Sequence, residues 1–435
     1  MNPASPTGPD VRAIEAWLEG LRGCGAAEDG AAEADDAPRT LFILDSDFGE
    51  LTTILYLVLG QACLRNARIL ASPRIYSVNH DALPGRIAEW KTEADLVEAL
   101  DAFRPRLVVL ASGYLLPVHR LLKADAMERL CARARSDGAI VVTADPFLGL
   151  VSRCGPGDLP GSLSIAIPDT AEPALVEAKK MGDAMLHKGL LDAERLLRTA
   201  PHLYPSYTDR EGIAPHETDG RNCSFFNAAL VAPPHLAPRG DGKDGQPFWM
   251  FLIALVDWQT QCMFEGVDEF SRIVADRLAD AVRLGRRAVL LAPSDLVERV
   301  RPLVPAGDGI ALLGFCPFAR VMALLLGAEH CFYWNAVSHS IIMPLWNGRS
   351  VFLFDRGHLL RAAPSLDRRV VAWYHQGFEP APLDQKAGLS LASLEEKAQA
   401  RARHRDEIMA RYRRAPSPAA MLERLLDEAP EPHRP

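Results

Sequence analysis

Short runs of apolar residues recur along this chain, and most of them are followed by a polar turn and then by a helix-length segment. The first run is Thr40–Leu44, which ends in Asp45-Ser46-Asp47 and precedes the apolar helical stretch Leu51–Leu64. The runs are rich in Val, Ile and Leu and do not alternate with polar residues, which is typical of strands buried on both faces. The pattern therefore predicts parallel β-sheets covered by helices on both sides.

The strand–helix pattern occurs in two blocks, separated by a Gly- and Pro-rich segment near Gly240–Pro247. The predicted strands of the first block are Thr40–Leu44, Arg74–Val78, Arg106–Ala111 and Ala139–Thr143. Those of the second block are Phe248–Leu255, Ala288–Leu291, Ile310–Gly314, Cys331–Trp334 and Ser350–Phe354. A length of 435 residues fits two domains with additional segments. We therefore predict an α/β protein with two Rossmann-like, doubly wound domains facing each other across a cleft, and a helical C-terminal tail.

The domain boundaries follow from this division. Residues 1–38 are expected to form a loose N-terminal arm with one docking helix, and residues 39–240 the first Rossmann-like domain. Residues 241–385 are expected to form the second Rossmann-like domain. Residues 386–435 are expected to form helices that pack back on the first domain.

Composition and missing motifs exclude several classes of protein. The chain has 48 basic and 56 acidic side chains, a formal net charge of −8, which is a poor match to a nucleic-acid backbone. No apolar run reaches the roughly 18–20 residues of a membrane helix, and no secretory signal is evident. The 8 cysteines lack the paired spacing of a zinc site. Walker A, G-x-G-x-x-G, H-E-x-x-H and G-x-S-x-G motifs are absent. We expect a cytoplasmic protein with no nucleic-acid partner, no membrane span and no metal.

Polar residues directly after the predicted strands are the first candidates for a functional site. Ligands of doubly wound sheets bind at the carboxyl ends of the strands, where helix N-termini offer N–H groups to anions. In the first block these residues are Asp45, Asp47, Glu50, Ser112, Tyr114 and Asp145. In the second block they are Asp257, Gln259, Gln261, Asn335, Ser338, His339, Asp355 and His358.

The stretch Gly314–Arg361 resembles the second domain of nucleotide-sugar glycosyltransferases of the GT-B architecture. Its segment Gly314–Phe318 looks like the turn beside the nucleotide base, and Asn335–Ser340 occupies the place of the phosphate-binding loop. Asn347-Gly348-Arg349 stands where the family has Gly-x-Pro. The phosphate loop lacks the family's Gly-Gly pair, and an arginine replaces the usual proline. The resemblance covers the second block as a pattern and the first block as topology.

This resemblance implies that the second domain binds a nucleotide sugar, while the first binds an unidentified acceptor, either a small molecule or a peptide or protein. The implied donor-binding residues are Gln259, Gln261, Phe315, Asn335, Ser338, His339, Ser340, Asp355 and His358. Asp257–Gln261 is expected to be a loop against the diphosphate. N–H groups and hydroxyls at the helix start near Ser338 would hold the phosphates, and no metal or cofactor besides the donor co-substrate is expected. Alternatively, Ser338 and Ser340 only cap a structural helix.

The resemblance also places the chemistry near the first strand. In such enzymes the loop after this strand approaches both substrates, and a carboxylate there can act as a general base. Asp47 and Glu50 are the first candidates and Asp145 the third, while Asp45 would cap the helix or fix the loop. His119 is left out, because a single histidine on a helix is more often structural than catalytic.

Three alternatives stay open. A sugar-nucleotide epimerase or hydrolase of the same fold would use the same phosphate site without an acceptor. A non-catalytic binding protein would explain the altered phosphate loop. An apolar strand followed by Asp-x-Asp also opens the haloacid-dehalogenase phosphatases. That family has Thr or Val two residues after the second Asp, where this chain has Gly49.

Overall fold

The computed structural model describes residues 9–23, 37–45, 48–144, 173–205, 222–233, 236, 246–305, 307, 309–354 and 364–427. Four of the predicted site residues lie outside these ranges, namely Asp47, Asp145, Asp355 and His358. Most of the predicted linker near residue 240 lies outside them as well.

The first sheet is parallel throughout its described strands. In chain order the strands are β1 (Thr40–Ile43), β2 (Ala67–Ala71), β3 (Ile87–Glu89), β4 (Leu107–Leu110), β5 (Ile140–Ala144), β6 (His202–Tyr204) and β7 (Asn222–Ser224). Side by side they run in the order β3-β2-β1-β4-β5-β6-β7. The chain therefore winds outward in one direction from β1 and in the other from β4. This pair is the switch point of a doubly wound sheet, the place where such folds bind ligands.

Helices connect and cover these strands. They are α1 (Pro9–Gly23), α2 (Phe48–Val58), α3 (Pro73–Asn79), α4 (Glu93–Phe103), α5 (Leu115–Val118), α6 (Ala124–Ser136), α7 (Pro173–Asp192) and α8 (Glu194–Thr199). Nearly all of α2 beyond its first turn is buried, as expected for a helix that follows a central strand. The start of α4 is fixed by a capping box, in which the Thr92 hydroxyl accepts from the backbone of Asp95 and the Asp95 carboxylate accepts from that of Thr92.

The second sheet repeats this design. Its strands are β8 (Phe248–Leu252), β9 (Arg287–Leu291), β10 (Ile310–Leu313), β11 (His330–Tyr333), β12 (Ser350–Leu353) and β13 (Ala381–Pro382). They are parallel and run in the order β10-β9-β8-β11-β12-β13, so the switch point lies between β8 and β11. Stacked aromatic rings fill one face of the central strands. Phe251 stacks on Phe332 at 4.7 Å and Trp334 on Phe354 at 4.4 Å between ring centroids.

The helices of the second half complete the fold. They are α9 (Leu255–Glu265), α10 (Val267–Arg283), α11 (Ser294–Val300), α12 (Phe318–Gly327), α13 (Ile342–Trp346), α14 (Pro364–Trp373), α15 (Leu391–Ala402), α16 (Arg405–Tyr412) and α17 (Pro418–Asp427). The chain divides into two compact units. The first sheet belongs with Glu19–Ser162, Asp183–Leu230 and Arg411–Pro435, and the second with Met1–Leu18, Leu163–Gly182 and Val231–Ala410.

The predicted α/β architecture, two doubly wound parallel sheets followed by C-terminal helices, is confirmed. Two local predictions are wrong. Arg74–Val78 lies in α3, because Pro73 at the first helical position starts a helix there, and the strand comes earlier, at Ala67–Ala71. The expected loop Asp257–Gln261 is part of helix α9. No helix among the residues given above is long and apolar enough to cross a membrane.

Candidate functional site

At the switch point of the first sheet, β1 and β4 each lead to one member of a hydrogen-bonded pair. Asp45 lies two residues after β1, and its side chain is completely buried. His119 directly follows α5, the short helix that comes after β4, and 35% of its side chain is exposed. The Nδ1 atom of His119 lies 2.7 Å from Oδ2 of Asp45. The pair thus joins a buried carboxylate to an imidazole that reaches the surface of the unit.

Neighbouring segments hold Asp45 in place. The hydroxyl of Ser72, directly after β2, donates to the carbonyl of Asp45 at 2.6 Å. The indole N–H of Trp90, directly after β3, donates to the carbonyl of Leu44 at 2.9 Å. Both bonds hold the backbone of the two residues that follow β1. They therefore fix the position of the carboxylate that contacts His119.

This geometry defines what the imidazole can do. A histidine whose Nδ1–H donates to a carboxylate carries its lone pair on Nε2, and the carboxylate also stabilises the ring once it is protonated. Nδ1 is identified as the donor because carboxylate oxygens accept hydrogen bonds. A partly exposed imidazole oriented in this way is suited to take a proton from a hydroxyl group or from water.

Glu50, a predicted base candidate, lies in the first turn of α2. Only 2% of this residue is exposed, and Oε1 accepts a hydrogen bond from the hydroxyl of Ser112, two residues after β4. The other two candidates, Asp47 and Asp145, lie outside the described residues. Among the described residues of the first switch point, Asp45 therefore contacts His119 and Glu50 contacts Ser112.

At the switch point of the second sheet, Asp257 links the segments that follow β8 and β11. Its Oδ2 accepts from the backbone N–H of Ala254 at 2.9 Å, which caps the start of α9. Its Oδ1 accepts from Nδ2 of Asn335 at 2.6 Å. Oδ1 of Asn335 accepts in turn from the N–H of Val337 at 2.7 Å. Asn335 therefore shapes the turn that follows β11, and its side chain is engaged within the protein.

Ser338 and Ser340 come next, at a tight 3₁₀ turn (His339–Ile341) that continues into α13. The two hydroxyl oxygens are 2.7 Å apart, and the side chain of Ser338 makes no capping bond to the helix backbone. The first N–H groups of a helical segment have no hydrogen-bond partner within the helix. The hydroxyls of Ser338 and Ser340 therefore lie close to such N–H groups. Such a turn can accept an anion. Ser338 therefore does not cap the helix through its side chain.

His339 lies between the two serines. Burial lowers the pKa of His339 from 6.5 to about 4, because desolvation disfavours the charged ring. At neutral pH the ring is therefore uncharged.

This shift predicts how stability depends on pH. The pKa of His339 is lower in the folded chain than in the unfolded one, so the unfolded chain binds the proton first as the pH falls. The contribution of the neutral His339 ring to the free energy of unfolding is complete above about pH 6.5 and is lost toward pH 4. The change is on the order of 3 kcal/mol. In His339→Gln, the free energy of unfolding by urea is expected to fall less steeply over this range.

Burial also lowers the pKa of His330, and that contribution is present in both proteins, so their difference reports on His339. Parallel pH profiles for the wild type and His339→Gln would contradict the prediction.

The other residues predicted to bind the nucleotide sugar lie in different environments. Gln259 is exposed on α9, and Phe315, two residues after β10, is 57% exposed. Gln261 is completely buried, and neither polar atom of its side chain has a hydrogen-bond partner among the described residues. Contact between Gln261 and a ligand would require α9 to move. In the described ranges no three His, Cys, Asp or Glu side chains converge as a metal site would require.

Comparisons with known proteins give similarities at the level of structure only. No family model and no curated protein matches the chain. Among solved structures, spinosyn forosaminyltransferase SpnP is 17% identical with a TM-score of 0.47, over 90% of this chain and 100% of that one. The calicheamicin glycosyltransferase CalG4 is 16% identical with a TM-score of 0.46, over 91% and 100%. A Listeria monocytogenes protein assigned as a UDP-N-acetylglucosamine 2-epimerase is 10% identical with a TM-score of 0.44, over 90% and 95%.

The similar structures are mainly glycosyltransferases. Since these identities lie below 25% and the TM-scores below 0.5, the activity has to be inferred from the side chains of this chain. His119, which was not among the predicted site residues, contacts a carboxylate 74 residues away in the chain. The available signal was its place shortly after a predicted strand end.

Proposed function

We propose that this protein is a glycosyltransferase that moves a sugar from a nucleotide-sugar donor to an acceptor hydroxyl, with His119 as the general base. The observation that carries the proposal is the hydrogen bond between His119 and the buried Asp45 at the switch point of the first sheet. Doubly wound sheets bind their ligands at such a point. The acceptor would accordingly bind at the carboxyl edge of the first sheet.

The proposed chemistry is a direct displacement. Nε2 of His119 takes the proton of the acceptor hydroxyl while the acceptor oxygen forms a bond to the anomeric carbon. The bond between that carbon and the phosphate oxygen breaks, and its electron pair leaves with the nucleoside diphosphate. Asp45 keeps the imidazole in the required tautomer and stabilises the imidazolium that forms. A single displacement inverts the configuration at the anomeric carbon.

The donor would bind at the switch point of the second sheet. The hydroxyls of Ser338 and Ser340 and the N–H groups of the turn are the donors available to the diphosphate there. Their role would be to stabilise the charge that builds up on the leaving group. These groups need no metal to act.

The structure also bears on the phosphatase alternative. A phosphatase nucleophile has to reach the phosphorus atom of its substrate. The carboxylate of Asp45 is buried and hydrogen-bonded to His119, which suits orientation of the imidazole rather than attack on phosphorus.

The test is a donor and acceptor panel followed by product analysis. The purified chain is incubated with dTDP-, UDP- and GDP-glucose and a set of hydroxyl-bearing small molecules and peptides, and released nucleoside diphosphate is measured. The dTDP donor comes first, because thymidine diphosphate is the ligand named for one of the similar solved structures. We expect release that depends on an acceptor, and a product of inverted anomeric configuration by NMR.

The other outcomes separate the alternatives. Release of equal size without an acceptor would indicate a hydrolase. Recovery of an isomerised nucleotide sugar would indicate an epimerase, and binding without any turnover a non-catalytic protein.

A further inference from the structure

The turn between β4 and α5, the short helix that precedes His119, contains a strained residue. Ser112, directly after Ala111 at the end of β4, has a φ of +44° and is completely buried. Residues other than glycine rarely adopt this left-handed conformation, which persists only where the surroundings enforce it. Its hydroxyl donates to Oε1 of Glu50. A buried carboxylate on α2 therefore holds the strained residue that precedes α5. A second positive φ, +57°, occurs at Arg120, directly after His119.

Further contacts fix the remainder of the turn. The N–H of Gly113 donates to Oγ1 of Thr143 at 3.1 Å, and that hydroxyl donates to the carbonyl of Leu110 at 2.9 Å. A side chain at Gly113 would bring its Cβ within 2.5 Å of a methyl carbon of Leu196. The turn is thus packed on one side against β5 and α8 and held on the other by Glu50.

A continuous series of backbone bonds leads from Ser112 to His119. The N–H of Leu115 donates to the carbonyl of Ser112 at 2.8 Å, and the N–H of His119 donates to the carbonyl of Leu115 at 2.8 Å. The backbone of His119 is therefore two hydrogen bonds away from the residue that Glu50 holds. A change in the position of Ser112 would be transmitted to the imidazole and to its bond with Asp45.

We propose that Glu50 is a positioning residue, which holds the strained Ser112 turn and thereby sets the hydrogen bond between His119 and Asp45. This inference rests on the proposed function in so far as it assumes that His119 is the base. It also accounts for the burial of Glu50. A base has to touch the acceptor hydroxyl, whereas a residue that orients another can be buried and already hydrogen-bonded.

The kinetic test compares Ser112→Ala, Glu50→Ala and Glu50→Gln. Misplacing a catalytic group by about 1 Å can cost roughly 100-fold in rate. We expect Ser112→Ala and Glu50→Ala each to lower kcat about 10- to 100-fold with little change in KM. The double variant should be no slower than the slower single one, because both changes remove the same bond. Glu50→Gln should restore most of kcat, since its amide oxygen can still accept from Ser112.

A second measurement does not depend on activity. In protein with ¹⁵N-labelled histidine rings, the Nδ1–H of His119 bonded to Asp45 should give a slowly exchanging proton resonance. We expect it to be lost or broadened in Ser112→Ala and kept in Glu50→Gln. Ser271→Ala is the matched control, because it removes another buried serine hydroxyl, which donates to the carbonyl of Val267 at 2.7 Å on α10. This control should keep both the resonance and kcat.

Two results would overturn the inference. Loss of turnover in Glu50→Gln with full activity in Ser112→Ala would make Glu50 a catalytic residue. An unchanged Nδ1–H resonance in Ser112→Ala would show that the turn does not set the bond. If no transfer activity is found at all, the proposed function fails, while the resonance still decides whether Glu50 positions His119. If Glu50→Ala does not fold, Ser112→Ala and Glu50→Gln carry the test.

Discussion

The His119→Gln variant is expected to lower kcat by about 10²–10⁴-fold while its affinity for the donor nucleotide stays unchanged. The reason is that glutamine cannot take the proton of the acceptor hydroxyl, although it is similar in size and polarity. Asp45→Asn should give a loss in the same direction, because an amide can hold the ring in the wrong tautomer and cannot stabilise the imidazolium. Release of nucleoside diphosphate gives kcat, and titration calorimetry gives the affinity.

The matched control is His80→Gln. His80 is an exposed histidine in the same unit, and its Nδ1 contacts the carbonyl of Tyr76 at 3.3 Å. This variant should keep wild-type kcat. A His119→Gln protein that turns over within threefold of the wild type would show that the base is a different residue.

The double variant Ser338→Ala with Ser340→Ala is expected to weaken binding of thymidine diphosphate by about 10²–10⁴-fold. A hydrogen bond to a charged phosphate contributes about 1.5–3 kcal/mol, and 1.4 kcal/mol corresponds to tenfold in affinity. The melting temperature should change little, because Ser338 makes no capping bond and the two hydroxyls are only partly buried. Titration calorimetry and thermal unfolding measure the two quantities.

Ser390→Ala provides the contrasting control. Ser390 caps α15, accepting from the N–H of Ser393 at 3.3 Å. Its replacement should cost about 1 kcal/mol of stability and leave nucleotide binding unchanged. Equal affinities in the wild type and in the Ser338/Ser340 double variant would place the phosphates elsewhere.

The two sheets could be predicted from the sequence because the signal for a buried strand is local. A run such as Cys331–Trp334 is apolar without alternation and is bounded by polar residues, whatever its neighbours are. The prediction of a strand in place of a helix was wrong where residues that favour a strand follow a residue that starts a helix. The segment Arg74–Val78 contains Ile75, Tyr76 and Val78, which favour a strand, but Pro73 at the first helical position starts α3.

The site could be predicted only in part. Asn335, Ser338 and Ser340 follow one strand closely, so their placement at a strand end could be read from the sequence. The pairing of Asp45 with His119 depends on β4 lying beside β1, although β2 and β3 come between them in the chain. Hydrophobic patterns do not encode that order. A histidine that is unremarkable in the sequence therefore becomes a catalytic candidate once the strands are arranged.

The hydrogen bond between Asp257 and Asn335 affects the entropy of ligand binding. One carboxylate fixes both the first turn of α9 and the segment that precedes Ser338, so the turn proposed to bind the diphosphate is ordered before any ligand binds. The conformational entropy of that segment is therefore lost when the chain folds and does not have to be lost again on binding. Ligand binding at this turn should accordingly involve little ordering of the backbone. The hydrogen bonds to the ligand then do not have to offset the ordering of this segment.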